Sequence, residues 1–355
     1  MNKIIIFASI VALIESRWSV KKAQEWYTRH DWLVGCNFVP SSAGNQLEMW
    51  QVDTFDVETI NRELQFAENI GFNVLRVFLH YLVWLEDSIG FKERINTFLD
   101  ISSSHKIKIM FVFFDDCWNG YPKLGRQEGP IPGLHNSMWV QCPGKREVSN
   151  TSLFPIFKEY VQDIMSTYRV DPRVAIWDLY NEPGCVMNHQ EYNNHEYDTV
   201  DLLKQVHLWA REITCIQPLT IGTYARGNEI LVLNYDRFAF EVSDIISFHS
   251  YQSLEDFIST VEYVKSIAGK RPLICSEYMA RTADSKFQTH LPFMKSENIS
   301  AINWGFVNGR SQTIYSWASQ KNAPKPLIWF HDIFEKDGKP FDQEEIDVIK
   351  KLTLL

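Results

Sequence analysis

The chain has 355 residues, room for one large domain, and 45% of them are apolar, enough to bury a sizeable core. Charged residues make up 22%, near the globular norm, which argues against long disordered tracts. Lysine plus arginine number 35 against 44 aspartate plus glutamate, a net charge of −9 with no basic footprint, so nucleic acid is not an expected partner.

At the N-terminus, Lys3 precedes the apolar run Ile4 to Ile14, the pattern of a secretory signal. The run is too short for an ordinary membrane span. Residues 1–16 are therefore expected to be a signal peptide, although Ala12 and Ser16 make a poor cleavage site. The alternative is an apolar segment docked on the domain. Residues 17–355 are expected to form the folded unit, a secreted or periplasmic monomer.

From there on, short β-branched runs alternate with longer helix-like stretches, which predicts a parallel sheet with helical crossovers. Trp32 to Phe38 reads as the first strand. Asp56 to Ile70 is a helix, with Gly71 just past its end. Asn73 to Leu79 and Ile107 to Phe114 are the next strands, separated by the helix Phe91 to Ser103. The loop Asp115 to Asn150, rich in glycine, proline and tryptophan, is too long to be a mere connection and reads as functional. Leu153 to Tyr168 is a helix, Val174 to Leu179 a strand, Val200 to Ile216 a helix and Leu219 to Thr223 a strand. Between Thr223 and Asp244 no clear helix shows. Ile245 to Phe248, Leu273 to Ser276 and Ala301 to Phe306 are the last strands, with helices at Leu254 to Ile267 and Phe287 to Ser296 between them. Eight strands in alternation predict a single (β/α)8 barrel.

The six cysteines make no C-x-x-C pair, so no zinc or thioredoxin-like site is suggested. Cys36 and Cys275 fall in apolar runs and read as buried thiols. Cys117 and Cys142 flank the long loop. Two readings stay open, a disulfide or unpaired core residues, and the second is the expected one.

In a barrel of this kind the chemistry lies at the C-terminal ends of the strands. In chain order, the first run ends in Asn37, the second carries Arg76 and leads to His80, the third ends in Asp115, Asp116 and Trp118, the fourth in Asn181 and Glu182, the fifth leads to Tyr224, the sixth ends in His249 and Tyr251, the seventh in Glu277, and the eighth carries Trp304 and leads to Asn308. Glu182 and Glu277 come directly after buried strands on opposite sides and can aim into one mouth. Glycoside hydrolysis needs such a pair, one carboxylic acid to protonate the leaving oxygen and one carboxylate to attack the anomeric carbon. The two must titrate differently. Burial and mutual repulsion are expected to raise Glu182, while Arg76 or Tyr251 keeps Glu277 ionised. Trp50, Trp84, Trp118, Trp139 and Trp317 fall in predicted loops, where aromatic planes can pack on sugar C–H faces or fill loop cores. His80 and His249 with Asp115 or Asp116 could ligate a metal, but metal-ligand spacing is lacking, and no metal or other cofactor is expected.

Ile176-Trp177-Asp178-Leu179-Tyr180-Asn181-Glu182-Pro183 resembles the fourth-strand signature of glycoside hydrolase clan A, especially family 5. Leu273 to Tyr278 resembles its seventh-strand nucleophile segment, His249-Ser250-Tyr251 its sixth-strand His-x-Tyr, and Gly71 to Arg76 its second-strand segment with a buried arginine. Trp304 matches the eighth-strand tryptophan. The resemblance runs from about residue 32 to about residue 310. It implies a retaining β-glycosidase with Glu182 as acid/base and Glu277 as nucleophile. Asn181 is then a contact to the sugar 2-hydroxyl, Tyr251 the support of the nucleophile and Trp304 a sugar platform. Arg76, His80, Asp115, Asp116, Trp118 and His249 complete the expected binding residues. One departure is plain. The family's histidine after the third strand is missing from Phe113-Phe114-Asp115-Asp116-Cys117-Trp118, so either aspartate takes over its contact or the subsite differs. The expected substrate is a β-1,4-linked glucan, mannan or related glycan. The alternatives are a non-catalytic carbohydrate-binding barrel and a metal-dependent barrel hydrolase.

Overall fold

The computed structural model describes residues 17–185, 199–224 and 234–354. The expected signal segment lies outside the described residues. Eight parallel strands close into one barrel in sequence order: β1 (Val34–Asn37), β2 (Val74–Phe78), β3 (Lys108–Asp115), β4 (Val174–Asn181), β5 (Leu219–Tyr224), β6 (Ile246–His249), β7 (Leu273–Glu277) and β8 (Ser300–Asn303). Closure is made by β8 pairing with β1, Gly35 opposite Ile302. Each strand is buried almost throughout because helices cover its outer face and side chains fill the barrel within.

The two-residue period of a strand decides which side chain meets which layer. In β2, Leu75 and Val77 pack outward with Ile60 and Leu64 of the helix Val57–Asn69. Val74 and Phe78 face inward, at opposite ends of the barrel. The N-terminal helix Val20–Tyr27 closes the bottom. Its Ala23 packs with Leu33, Val74, Met110, Ile176, Ile245, Ile274 and Ile302. The backbone N–H of Trp18 donates to Asp244 Oδ1 and the Tyr27 hydroxyl donates to Asn298 O, fixing it in place. At the other end, Phe78, Val112, Trp139, Tyr251, Trp304 and Phe330 form an aromatic mouth.

Three features differ from the sequence reading. A helix, Asn234–Val242, occupies part of the stretch where no helix shows in the sequence. It is only nine residues long, and it is held by burial of Phe238, Ala239 and Val242 rather than by a long apolar stripe. Trp50 and Trp84 belong not to loops but to the short helices Gln46–Trp50 and Tyr81–Glu86. Both are buried, with Trp50 Nε1 donating to Phe78 O and Trp84 Nε1 to Asp163, so neither faces sugar. Lastly, the loop after β3, read from the sequence only as functional, is also part of the core. Asp115 and Cys142 exchange two backbone hydrogen bonds of 2.7 and 2.8 Å, and Met138, Trp139, Val140 and Val148 are buried. Cys117 and Cys142 are separate buried thiols, as are Cys36 and Cys275.

Candidate active site

The site is built around Arg76, which is fully buried in the middle of β2. Its five N–H donors are all used. Nε and one amino group donate to Asp178 Oδ2 at 2.9 and 2.7 Å. The others reach Asn37 Oδ1 at 3.0 Å, Asn181 Oδ1 at 2.7 Å and Glu277 Oε1 at 2.8 Å. One cation thus ties together β1, β2, β4 and β7. Gly222 on β5 makes room for it. A Cβ there would lie 2.9 Å from the guanidinium and 3.1 Å from His249 Nε2.

Two irregularities in register aim the chemistry. Pairing between β4 and β5 shifts after Asp178, so that Tyr180 packs outward and Asn181 turns inward. Pairing between β6 and β7 shifts after Phe248 and sets Glu277 opposite His249. Beyond Asn181 the chain turns sharply. Glu182 has φ of 43°, a left-handed conformation that costs a side-chain-bearing residue on the order of 1–3 kcal/mol. Its N–H donates to Gly222 O, and its carbonyl accepts from the N–H of Cys185. Together these bonds hold the strained turn.

The two carboxylates meet in one pocket, lined by Asn181, Glu182, Glu277, Tyr251, Trp304 and Trp118 among others. One ligand atom from each of Glu182, His249 and Glu277 lies within 4.8 Å of the other two. The nearest oxygens of the two carboxylates are thus no more than 4.8 Å apart, close enough for the short spacing of about 5–5.5 Å between carboxyl groups found in retaining glycosidases. Tyr251 donates its hydroxyl proton to Glu277 Oε2 at 2.6 Å. His249 Nδ1 lies 2.6 Å from Glu182 Oε1, and the thiol of Cys117 donates to Glu182 Oε2 at 3.1 Å.

Burial acts to raise both carboxyls, but the balance differs from the expected one. Burial and the neighbouring Glu182 hold Glu277 above its ordinary value, against the pull of His249, Arg76 and Tyr251. For Glu182 burial is outweighed by the hydrogen bond and charge of His249, which bring it below. The two carboxyls thus lean in opposite directions, and the short Glu182–His249 contact is the main pull on Glu182. Burial also pushes the Cys117 thiol well above its ordinary value, so it serves as a donor.

Three expected binding residues are elsewhere. His80 is fully buried. Its Nδ1 accepts from Leu82 N as the cap of a short helix, and its Nε2 meets Gln141 O at 3.0 Å. Asp116 is buried behind β4, accepting from Tyr180, Gly184 and Thr199 at 2.7, 2.7 and 2.6 Å. Asp115 accepts from Asn181 Nδ2 at 2.9 Å and Trp139 Nε1 at 2.7 Å, so it orients those residues and does not border the pocket. The contact of the missing third-strand histidine is thus not taken by either aspartate. Arg76 and His249 are likewise buried supports of the two glutamates. Cys117, His135, Trp139, Cys185, Tyr224 and Trp317 border the pocket without being among the expected site residues. The sequence offered a signal for Tyr224, at the end of β5, and for the loop tryptophans. It offered none for His135 and Cys185.

The family model described as Cellulase (glycosyl hydrolase family 5) matches residues 35–310. The chain belongs to glycosyl hydrolase family 5. It is accordingly a retaining glycoside hydrolase of β-linked glycans. No protein of curated function matches it in sequence. Among solved structures it is similar to the endo-1,4-β-D-mannanase of Thermotoga petrophila RKU-1, at TM-score 0.57 and 12% identity over 91% of this chain and 99% of that one. A family 5 mannosidase of Rhizomucor miehei gives TM-score 0.55 and 13% identity, over 90% and 92% of the two chains. The endo-1,4-β-mannanase of the same organism gives 0.56 and 14%, over 89% and 98%. These identities establish a shared barrel. In this family 5 barrel, no described helix is long and apolar enough to cross a membrane.

Proposed function

We propose that Glu277 is the nucleophile and Glu182 the general acid/base in double-displacement hydrolysis of a β-1,4-linked mannan or glucan. The observation that carries this reading is the closeness of the two carboxylates, each held by a different set of partners. In the first step Glu277 attacks the anomeric carbon, while Glu182 gives its proton to the departing glycosidic oxygen. Arg76 and Tyr251 orient the attacking carboxylate, and His249 feeds the proton position of Glu182. In the second step Glu182, now a carboxylate, takes a proton from water. The water attacks the anomeric carbon, Glu277 leaves, and the configuration is retained.

Trp118, Trp304 and Trp317 border the pocket and offer flat faces for sugar C–H groups. Similarity to enzymes named as mannanases and as a mannosidase supports a mannan-type substrate. The pattern of Lys3 and Ile4 to Ile14 supports export, and we read the mature enzyme as a secreted monomer. Purified protein assayed on mannan, glucomannan, cellulose and xylan, with the matching aryl β-glycosides, tests the substrate. Turnover of mannan or glucan with the retained anomer as first product is expected. Activity confined to another polysaccharide would overturn the sugar assignment.

A further inference from the structure

Glu182 has a second set of neighbours, two thiols, to which the proposed mechanism assigns no step. Cys117 comes from the loop after β3 and Cys185 from the turn after β4. One ligand atom each from Cys117, Glu182 and Cys185 lies within 4.8 Å of the other two. The Cys117 thiol is already 3.1 Å from Glu182 Oε2. Zinc–sulfur bonds of about 2.3 Å and zinc–oxygen bonds of about 2.0–2.2 Å in a tetrahedron set donors about 3.5–3.8 Å apart. Only a small adjustment of the three side chains is needed, with the Cys117–Glu182 pair opening by about 0.5 Å.

We propose that Cys117, Cys185 and Glu182 form an inhibitory site for a thiophilic divalent cation, zinc in the first place. Two sulfurs and one carboxylate oxygen are a soft-to-borderline donor set, which selects zinc over magnesium or calcium. The set is held in place before any ion arrives. Cys117 N–H donates to Asp115 Oδ1 at 2.9 Å, and Cys185 N–H donates to Glu182 O at 2.9 Å. Glu182 uses Oε1 for His249 and Oε2 for the thiol, so an ion on Oε2 leaves the histidine contact in place as an outer support. Cys185 is half-buried and borders the pocket, which gives the ion its way in, and a water or a sugar oxygen can take the fourth position. On binding, the two thiol protons pass to solvent and two zinc–sulfur bonds form. Glu182 is then a ligand and cannot protonate a leaving group.

The inhibitory consequence rests on the acid/base reading of Glu182; the binding does not. Cobalt(II) added to metal-free enzyme reports the site directly. A thiolate-to-cobalt charge-transfer band and the d–d bands of a four-coordinate ion are expected in the wild type, and zinc should displace them. Cys185→Ser and Cys117→Ser/Cys185→Ser keep a hydroxyl but lose the soft donors. The charge-transfer band should weaken in the first and vanish in the second. The zinc concentration for half-inhibition, read against each variant's own metal-free rate, should rise at least about tenfold. EDTA should restore the wild-type rate. Absence of a thiolate band in the wild type would overturn the site whatever the variants do. Zinc inhibition unchanged in the double variant would place the ion instead on Glu182, His249 and Glu277. A thiolate band without inhibition would overturn the inhibitory role if Glu182→Ala still shows azide rescue. Without that rescue, the same result brings down the acid/base assignment and leaves the metal site standing.

Discussion

Glu277 and Glu182 face the same pocket, yet opposite kinds of neighbour hold them. Glu277 ends a strand and is gripped by groups from strands and their immediate ends, the Arg76 cation at 2.8 Å and the Tyr251 hydroxyl at 2.6 Å. Glu182 sits one residue past a strand on a left-handed turn, and its partners are a histidine and loop-borne thiols. The first arrangement is rigid and charged, suited to a carboxylate that must stay aimed at one carbon. The second is, under the proposed mechanism, a proton relay at the edge of the barrel, suited to a group that changes protonation twice per turnover. Rigid strands supply position, and the turn places the other carboxyl among groups that carry exchangeable protons.

The contrast can be broken most strongly at the proton relay. Glu182→Ala should lower kcat/KM about 10²- to 10⁴-fold on substrates with poor leaving groups and spare glycosylation by those with good ones. Added azide should then restore turnover and give a β-glycosyl azide. Equal loss on both substrate classes would count against the relay. On the other side, Arg76→Met removes the cation from two buried carboxylates. Destabilisation of about 3–5 kcal/mol is expected in urea unfolding, together with loss of activity. Cys117→Ser, which keeps a donor beside Glu182, should cost far less stability. Similar losses for the two variants would erase the distinction.

Tyr251→Phe sharpens it. Deleting one charge-assisted hydrogen bond is worth about 1.5–3 kcal/mol, or about 10- to 100-fold in the rate of glycosylation, with thermal stability nearly unchanged. A pre-steady-state burst assay reads that step alone. The loop after β3 gives a smaller effect. Its tip, residues 123–129, is mostly exposed, whereas Trp139 and its neighbours are core. Removing the tip should shift Tm by only a few degrees and lower kcat/KM more on long substrates than on an aryl monosaccharide. Removing residues 120–140, by contrast, should unfold the mouth.

The smallest effect expected is on stability against pH. Burial raises Asp115 to about 7 and Asp116 to about 6, above their unfolded values. Such groups contribute stability that is present at low pH and lost as pH rises through about 6–7. Burial lowers His80 to about 4, so its contribution is present above its ordinary value and lost as pH falls toward about 4. Between pH ~4 and ~6 two aspartates lose stability while one histidine gains it, so these three groups together make Tm fall as pH rises. Asp116→Asn should flatten that fall, a pattern differential scanning calorimetry resolves. A steeper fall in that variant would contradict the sign.

Much of this was legible because strands impose a period. The apolar runs located the barrel, the ends of the runs pointed to Glu182, Glu277, Asn181 and Tyr251, and the second run carried Arg76. The same rule placed His80, Asp115 and Asp116 in the cleft, where they are not. Being near a strand end does not say which way a side chain turns. His80 is spent on capping a helix, and the two aspartates on anchoring Asn181 and the turn around Gly184. The register shifts in β4 and β7 reverse the expected alternation, and no sequence pattern announces a bulge. His135, Cys117 and Cys185 reach the pocket through loop packing across distant segments, which leaves no periodic trace. Tertiary partners also decided the charge balance. His249 bears on Glu182 more strongly than strand order alone would suggest.

The assignment of Glu277 is tested most directly by trapping. A 2-deoxy-2-fluoro β-mannoside or β-glucoside with a good leaving group should inactivate the enzyme with one equivalent bound. Peptide mass spectrometry should find the fluorosugar on Glu277 as an ester. A label on Glu182 or on any other residue, or NMR showing the inverted anomer as first product, would contradict the account.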